Sequence, residues 1–337
     1  MLDFDEFCEH VRYNLKYFLP DEFEKAEVVL NTVTKNNGKE LTAVNVRLPE
    51  SRISPNIYLE SFYENYAEQG MDLETCLERI AKLELEHQNP SEDFVKVADS
   101  FRDPEFIKPR VVMAIINAEK NAELLKEVPS KPVEDLSVIY KVYLGGDKDG
   151  IGTILVRNEH LKDWGISLDE LHELALENSK RLLPAEVMTM GDVLSKMLGE
   201  DMPDLPFGEE DEKMYVISNT QKVNGAASII YSDVLEKLSE KLGTDLYVLP
   251  SSIHETIAIS ANYGDADQLE QMVREVNATT VSKEEQLSDH VYRYDAKTKT
   301  LSIVDVESRD LNESRVSENA QNYETGNEEA VRPRHHR

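Results

Sequence analysis

Cysteine is nearly absent. Only Cys8 and Cys76 occur in 337 residues, too few to staple a secreted disulfide scaffold or to build a cysteine-based zinc site. Both read as reduced packing residues of a cytoplasmic protein. Cations are scarce too: 37 Lys and Arg stand against 66 Asp and Glu, a net charge of -29. Binding a nucleic-acid backbone needs clustered cations, so direct phosphate-backbone recognition of DNA or RNA is not expected. Long apolar runs are missing. The longest, Val111-Val112-Met113-Ala114-Ile115-Ile116, suits a buried strand and not a membrane span. The acidic start Met1-Leu2-Asp3-Phe4-Asp5-Glu6 has neither a basic n-region nor an apolar h-region, so no secretory leader is expected. There is no glycine-rich dinucleotide fingerprint, no P-loop and no His-Glu-x-x-His, so neither cofactor nor metal is expected.

What is present suits a globular chain of one large or two ordinary domains, with 40% apolar residues. Phe4, Phe7, Val11, Leu15 and Phe18 stripe one helical face. Asn36-Asn37-Gly38 between two β-rich runs predicts a hairpin. Asp72 and Ser167 are expected helix caps. Asn224-Gly225, between Met214–Ser218 and Ala227–Tyr231, predicts a second hairpin with positive φ at Gly225 and also at Asn224. Residues 117–135, charged and carrying Pro129 and Pro132, mark the expected boundary. An N-terminal α+β region then spans 1–128 and a C-terminal α+β region 129–306, with an acidic linker or loop near Asp201 to Lys213. A disordered tail follows over 307–337, without apolar periodicity. Hairpins among helices predict an α+β fold, with mixed or antiparallel sheets and helices packed on them.

Three blocks of residues stand out. The first is Ser54-Pro55-Asn56-Ile57-Tyr58-Leu59 with Tyr63 and Gly70. The second is Val156-Arg157-Asn158 with Leu161, Trp164-Gly165-Ile166, Glu170-Leu171, Ala175 and Asn178. The third joins Met214 to Asn219, Gly225-Ala226-Ala227 and Leu249-Pro250-Ser251-Ser252-Ile253-His254-Glu255. Together they resemble an uncharacterised domain-of-unknown-function family of anaerobic gut bacteria and their mobile elements, over roughly residues 1 to 305. The second and third blocks are also similar, more distantly, to another uncharacterised family of cytosolic bacterial proteins. The resemblance implies a cytoplasmic α+β protein and brings no activity or catalytic residue with it.

The sharpest local signal is Pro250-Ser251-Ser252-Ile253-His254-Glu255, which holds two hydroxyls, an imidazole and a carboxylate between two apolar runs. A nucleophile needs a base in reach, and Ser252 and His254 share one face of an extended segment. A hydrolase using Ser252 and His254 is therefore one reading. The preferred one is structural: Ser251 or Ser252 bonding backbone groups, and His254 partly buried with a local partner. Ser251, Ser252, His254 and Glu255, with Tyr58 and Tyr63 from a helical aromatic stripe, are the candidate binding residues. Gly145 to Gly152 reads as a tight hairpin loop, and Glu84-Leu85-Glu86-His87 as a solvated helix face. The acids are interleaved with lysines, as in an ordinary solvated surface, although an acidic decoy of a nucleic-acid-binding protein is a further alternative. The leading reading is a non-enzymatic binding or interaction module of accessory genetic elements, with a protein partner and no membrane.

Overall fold

The structure is a computed structural model and describes residues 1–49, 54–87, 92–147, 150–198 and 213–304. Three successive stretches of chain each build a sheet of their own, and every strand pair is antiparallel. The first stretch holds α1 (Phe4–Asn14), β1 (Glu27–Thr34), β2 (Glu40–Arg47), β3 (Ile57–Tyr58), α2 (Glu60–Ala67) and α3 (Leu73–His87), with strand order β1-β2-β3. Asp3 and Glu6 form a reciprocal capping box that starts α1. Asp72 accepts from the Thr75 N–H at 2.8 Å where α3 begins. The apolar stripe of α1 and the 3-10 turn that continues it buries Phe7, Val11 and Leu15 with Phe23, Val44, Leu59 and Ile80. Cys8 and Cys76 lie in this core as free thiols. The expected hairpin forms: β1 pairs with β2, and Asn37 (φ 59°) and Gly38 (φ 68°) adopt the left-handed conformation that Asn and Gly tolerate best.

The second stretch holds α4 (Glu92–Asp99), α5 (Pro104–Ile107), β4 (Val111–Asn117), α6 (Leu124–Glu127), β5 (Ser130–Val133), β6 (Leu136–Asp147), β7 (Gly150–Leu155), α7 (Asn158–Trp164) and α8 (Leu168–Leu182). The long β6 is central. β4 runs along one edge, and β5 and then β7 run along the other. All seven residues of β4 are buried because both faces are covered. Val111, Met113 and Ile115 enter the main core, while Ala114 and Ile116 meet Val128 and Ile139. Ser167 caps α8 by accepting from the Glu170 N–H at 3.1 Å, and Ser179 of α8 accepts from the Met113 N–H at 2.8 Å.

The third stretch holds β8 (Ala185–Thr189), α9 (Met190–Leu198), β9 (Met214–Asn219), α10 (Val234–Leu242), β10 (Leu246–Leu249), β11 (Thr256–Ser260), α11 (Ala266–Thr279), β12 (Tyr292–Asp295) and β13 (Thr300–Ile303). Its strand order is β13-β12-β10-β11-β9-β8. One face shares the main core with the second sheet through Ile217, Val248 and Tyr292 beside Tyr140 and Val138, and Leu235 of α10 joins the same core. The other is covered by α11, whose Leu269 and Val273 meet Tyr247, Leu249 and Ile259.

The α+β expectation is met with antiparallel sheets, but three local expectations are corrected. The proposed boundary segment 117–135 holds α6 and β5, and β4 before it pairs with β6 after it. Residue 128 thus falls inside one sheet. Pro132 is tolerated because β5 is an edge strand. The Asn224-Gly225 hairpin is absent: Asn224 carries the positive φ (52°), and residues Gly225–Ile230 form a 3-10 turn instead of a strand. Finally, Glu84 is fully buried and not part of a solvated face. It stands four residues after Ile80 and eight after Cys76, on the core stripe of α3. The acidic stretch from Asp201 to Glu212, residues 148–149 of the Gly145 to Gly152 hairpin and the expected tail at 307–337 lie outside the described residues.

Candidate functional site

The Pro250–Glu255 segment links β10 to β11 and is held from two sides. On one side lies the loop after α11. Ser288 and Leu287 donate their N–H groups to the carbonyls of Pro250 (2.9 Å) and Ser251 (3.0 Å), and Ile253 donates to the Glu285 carbonyl at 2.8 Å. On the other side lies the turn after β9. Ala226 N–H donates to the Ile253 carbonyl at 3.2 Å, and the Ser218 hydroxyl donates to the His254 carbonyl at 2.8 Å. Gly225 fills the remaining gap. A Cβ on it would lie 2.1 Å from Ser218 Oγ, 2.5 Å from the His254 carbonyl oxygen and 2.7 Å from the Asn219 nitrogen. Glycine is required there by close approach rather than by φ.

His254 is partly buried. Its Nδ1 accepts from the Asn224 N–H at 3.3 Å, and its Nε2 lies 3.5 Å from Glu285 Oε1. The Ser252 hydroxyl accepts from the His254 main-chain N–H at 3.0 Å, a local turn of the kind serine favours. It therefore faces backbone and not the imidazole. Glu255 is exposed. Behind Asn224, Lys141 of β6 donates to Asn224 Oδ1 at 3.2 Å. Burial pulls the Lys141 ammonium down to about 8, and the nearby charge of Lys35 acts in the same direction. Among the described residues, no three His, Cys, Asp or Glu side chains gather as metal ligands would.

Tyr58 and Tyr63 lie in the first stretch, apart from this segment. The Tyr58 ring carries the Lys35 ammonium 4.0 Å above it. Tyr63 packs edge-on to Phe4 (5.2 Å) and Phe7 (5.6 Å), and its hydroxyl donates to the Leu2 carbonyl at 3.3 Å. Ser251, Ser252 and His254 thus meet at one junction, whereas Tyr63 belongs to the first core.

The junction unites the segments of the third motif block: Ser218 and Asn219, Gly225 to Ala227, and Pro250 to His254. The same blocks span a wider match, since residues 4–296 fit a family of unknown function, DUF5688. The chain belongs to that family. No curated protein and no solved structure matches it.

Several junction residues of this DUF5688 chain were not legible as such. Asn224 reads as half of a hairpin turn and Lys141 as a residue within a strand, while Glu285 and Gln286 fall between two predicted elements and carry no signal of their own. Only the tertiary fold brings them to His254. A second feature was also missed. Tyr13 is 66% exposed and Tyr17 84%, and Leu85 of α3 is 36% exposed. Near them Phe18, Ala81 and Leu85 line a shallow groove of about 370 Å³, flanked by Glu78, Lys82 and Glu86. The available signal was that Tyr13 and Tyr17, four residues apart, fall off the buried stripe of α1.

Proposed function

We propose that this DUF5688 protein is an interaction module that docks a basic protein partner on the face formed by α1, residues 15–18 and α3. The observation that supports it most directly is Tyr17, 84% exposed beside the apolar groove of Phe18, Ala81 and Leu85. Tyrosines held out in water cost apolar hydration and are favoured anchors of protein interfaces. A net charge of -29 steers cationic surfaces toward the molecule and opposes a second copy of itself. The resemblance of the motifs, which implies carriage by mobile elements of anaerobic gut bacteria, suits a module of this kind working in the cytoplasm. No helix of the described residues is long and apolar enough to cross a membrane.

The hydrolase alternative needs the Ser252 hydroxyl against an imidazole nitrogen, but both nitrogens of His254 face other groups. The decoy alternative needs an unbroken acidic stripe. Here helix carboxylates alternate with cations, as in Lys82–Glu86, Asp233–Lys237 and Glu270–Arg274. A photo-crosslinking residue at position 17 tests the proposal, with one at the exposed Met272 as control. Expected is a basic protein captured at position 17 alone, lost at high salt and in Leu85→Asp. Identical capture at both positions, or none at 17, would sink it.

A further inference from the structure

A second cleft, of about 430 Å³, opens where α4, the turn before β4, the bulged part of β6 and the end of α8 meet. Its volume falls in the range of small-molecule sites, about 300–1,000 Å³. Three cations line it: Lys96, Arg110 and Arg181. In a chain with 66 acids and 37 basic residues, such cations would be expected to find carboxylates. Their neighbours do. Lys108 pairs with Glu105 and Glu170, and Lys180 with Asp233. Among the described residues, Lys96, Arg110 and Arg181 have no ion-pair partner.

The guanidinium groups are nonetheless fixed. The Arg110 guanidinium carbon sits 3.9 Å from the centre of the Phe106 ring, and Nη1 donates to the Phe106 carbonyl at 2.7 Å. Arg181 Nη2 donates to the Pro109 carbonyl and, at 2.9 Å, to Asn178 Oδ1. Each keeps further N–H donors for a ligand, because a guanidinium carries five in a rigid fork. Held by neutral acceptors, both retain their full charge toward the cleft. Tyr143 and Leu144 add an aromatic and an apolar wall. They are placed there by the register shift between Tyr143 and Gly145, and Gly145, at φ 116°, leaves open space where a side chain would stand.

We propose that this cleft binds a small phosphate ester carrying a planar ring, the chemistry of a nucleoside monophosphate. The two forks and the ammonium hold the phosphate, and Tyr143 and Leu144 receive the ring. The site is separate from the groove beside Tyr17, so neither proposal depends on the other. Calorimetric titration of the full chain with adenosine, guanosine, cytidine and uridine monophosphates, phenyl phosphate, inorganic phosphate and adenosine tests it. At least one ring-bearing ester is expected to bind with submillimolar Kd. Inorganic phosphate should bind about tenfold more weakly or worse, and adenosine should give no signal. Arg110→Ala and Arg181→Ala should each weaken binding about tenfold, the loss of one charge-assisted hydrogen bond, with Arg181→Lys in between. Arg181 is exposed, so Arg181→Ala should keep the parental Tm and remains informative if Arg110→Ala does not fold. No binding by any ester at millimolar concentration would overturn the proposal. So would equal binding of inorganic phosphate and the esters, or binding unchanged in the arginine variants.

Discussion

Glu84 is fully buried on α3, and neither carboxylate oxygen has a hydrogen-bond partner among the described residues. Burial raises its carboxyl from 4.5 to about 7. Its folded value lies above its unfolded one, so between these values the unfolded chain has released the proton that the folded chain retains. Stability from this group therefore falls as pH rises from about 4.5 to about 7 and stays low above that window. Glu84→Leu should remove the penalty, raising stability at pH 8 by about 3 kcal/mol more than at pH 4. Chemical denaturation at both pH values checks this, and an equal gain at both would show that packing alone is responsible. Gly225→Ala belongs to the same scale. With a Cβ only 2.1 Å from Ser218 Oγ and 2.5 Å from the His254 carbonyl, backbone must move, at a cost above about 3 kcal/mol. His254→Ala should cost about 1–3 kcal/mol by leaving the Asn224 N–H unpaired. The role of His254 was partly legible, since a polar segment between two apolar runs must have its groups satisfied. Glu84 was not, because a glutamate on a helix is ordinarily solvated and only its place on the core stripe revealed otherwise.

Among elements, the two Asn-Gly sequences separate what local chemistry decides from what it does not. Asn37 and Gly38 both take positive φ and close β1 onto β2 in the expected way. Asn224 takes positive φ too, but the following Gly225-Ala226-Ala227-Ser228 is small and fully buried, and it coils into a 3-10 turn under β9. The turn residue was legible. The fate of the run after it was not, because Ile229, Ile230 and Tyr231 suit a buried turn as well as a strand. Helices with caps and amphipathic stripes, such as α1, α3 and α8, were read correctly for the opposite reason: cap and stripe are local signals that agree. A pair of variants separates strain from bonding at Asn224. Asn224→Gly keeps the left-handed backbone and loses the acceptor for Lys141, and should cost about 1 kcal/mol. Asn224→Ala loses both and should cost about 2 kcal/mol. Equal denaturation midpoints for the two would show that φ at 224 carries no strain.

Across the whole molecule, three sheets built from successive stretches are pinned where the β1–β2 tip enters between two loops of the other stretches. Asn37 Nδ2 donates to the carbonyls of Lys283 and Gln286, each at 2.7 Å, and its Oδ1 accepts from Asn121 Nδ2 at 2.9 Å. Asn36 donates to the Glu284 carbonyl, and Asn117 reaches the Leu287 carbonyl. Residues 283–287 in turn hold Ser251 to Ile253. The coupling was invisible in the sequence because it joins polar side chains to main-chain carbonyls more than 240 residues away, as from Asn37 to Lys283 and Gln286. Such bonds leave no apolar pattern. The expected boundary near residue 128 rested on charge and on Pro129 and Pro132, and the strands on either side of it, β4 and β6, share a sheet. Asn37→Gly tests the pin without straining the turn, since glycine accepts φ 59° and only the side-chain bonds are lost. The first stretch has its own core around Phe7, Leu59 and Ile80, so it should loosen as a unit. Amide exchange should accelerate through α1, β1 and β2 and stay unchanged in β9, β10 and β11, with an earlier calorimetric transition splitting from the main one. Lys39→Ala removes only the partly exposed pair with Glu284 and should shift stability by less than about 1 kcal/mol, with a single transition. Uniform acceleration across all three sheets in Asn37→Gly would mean that the stretches unfold together and that the tip is not what joins them.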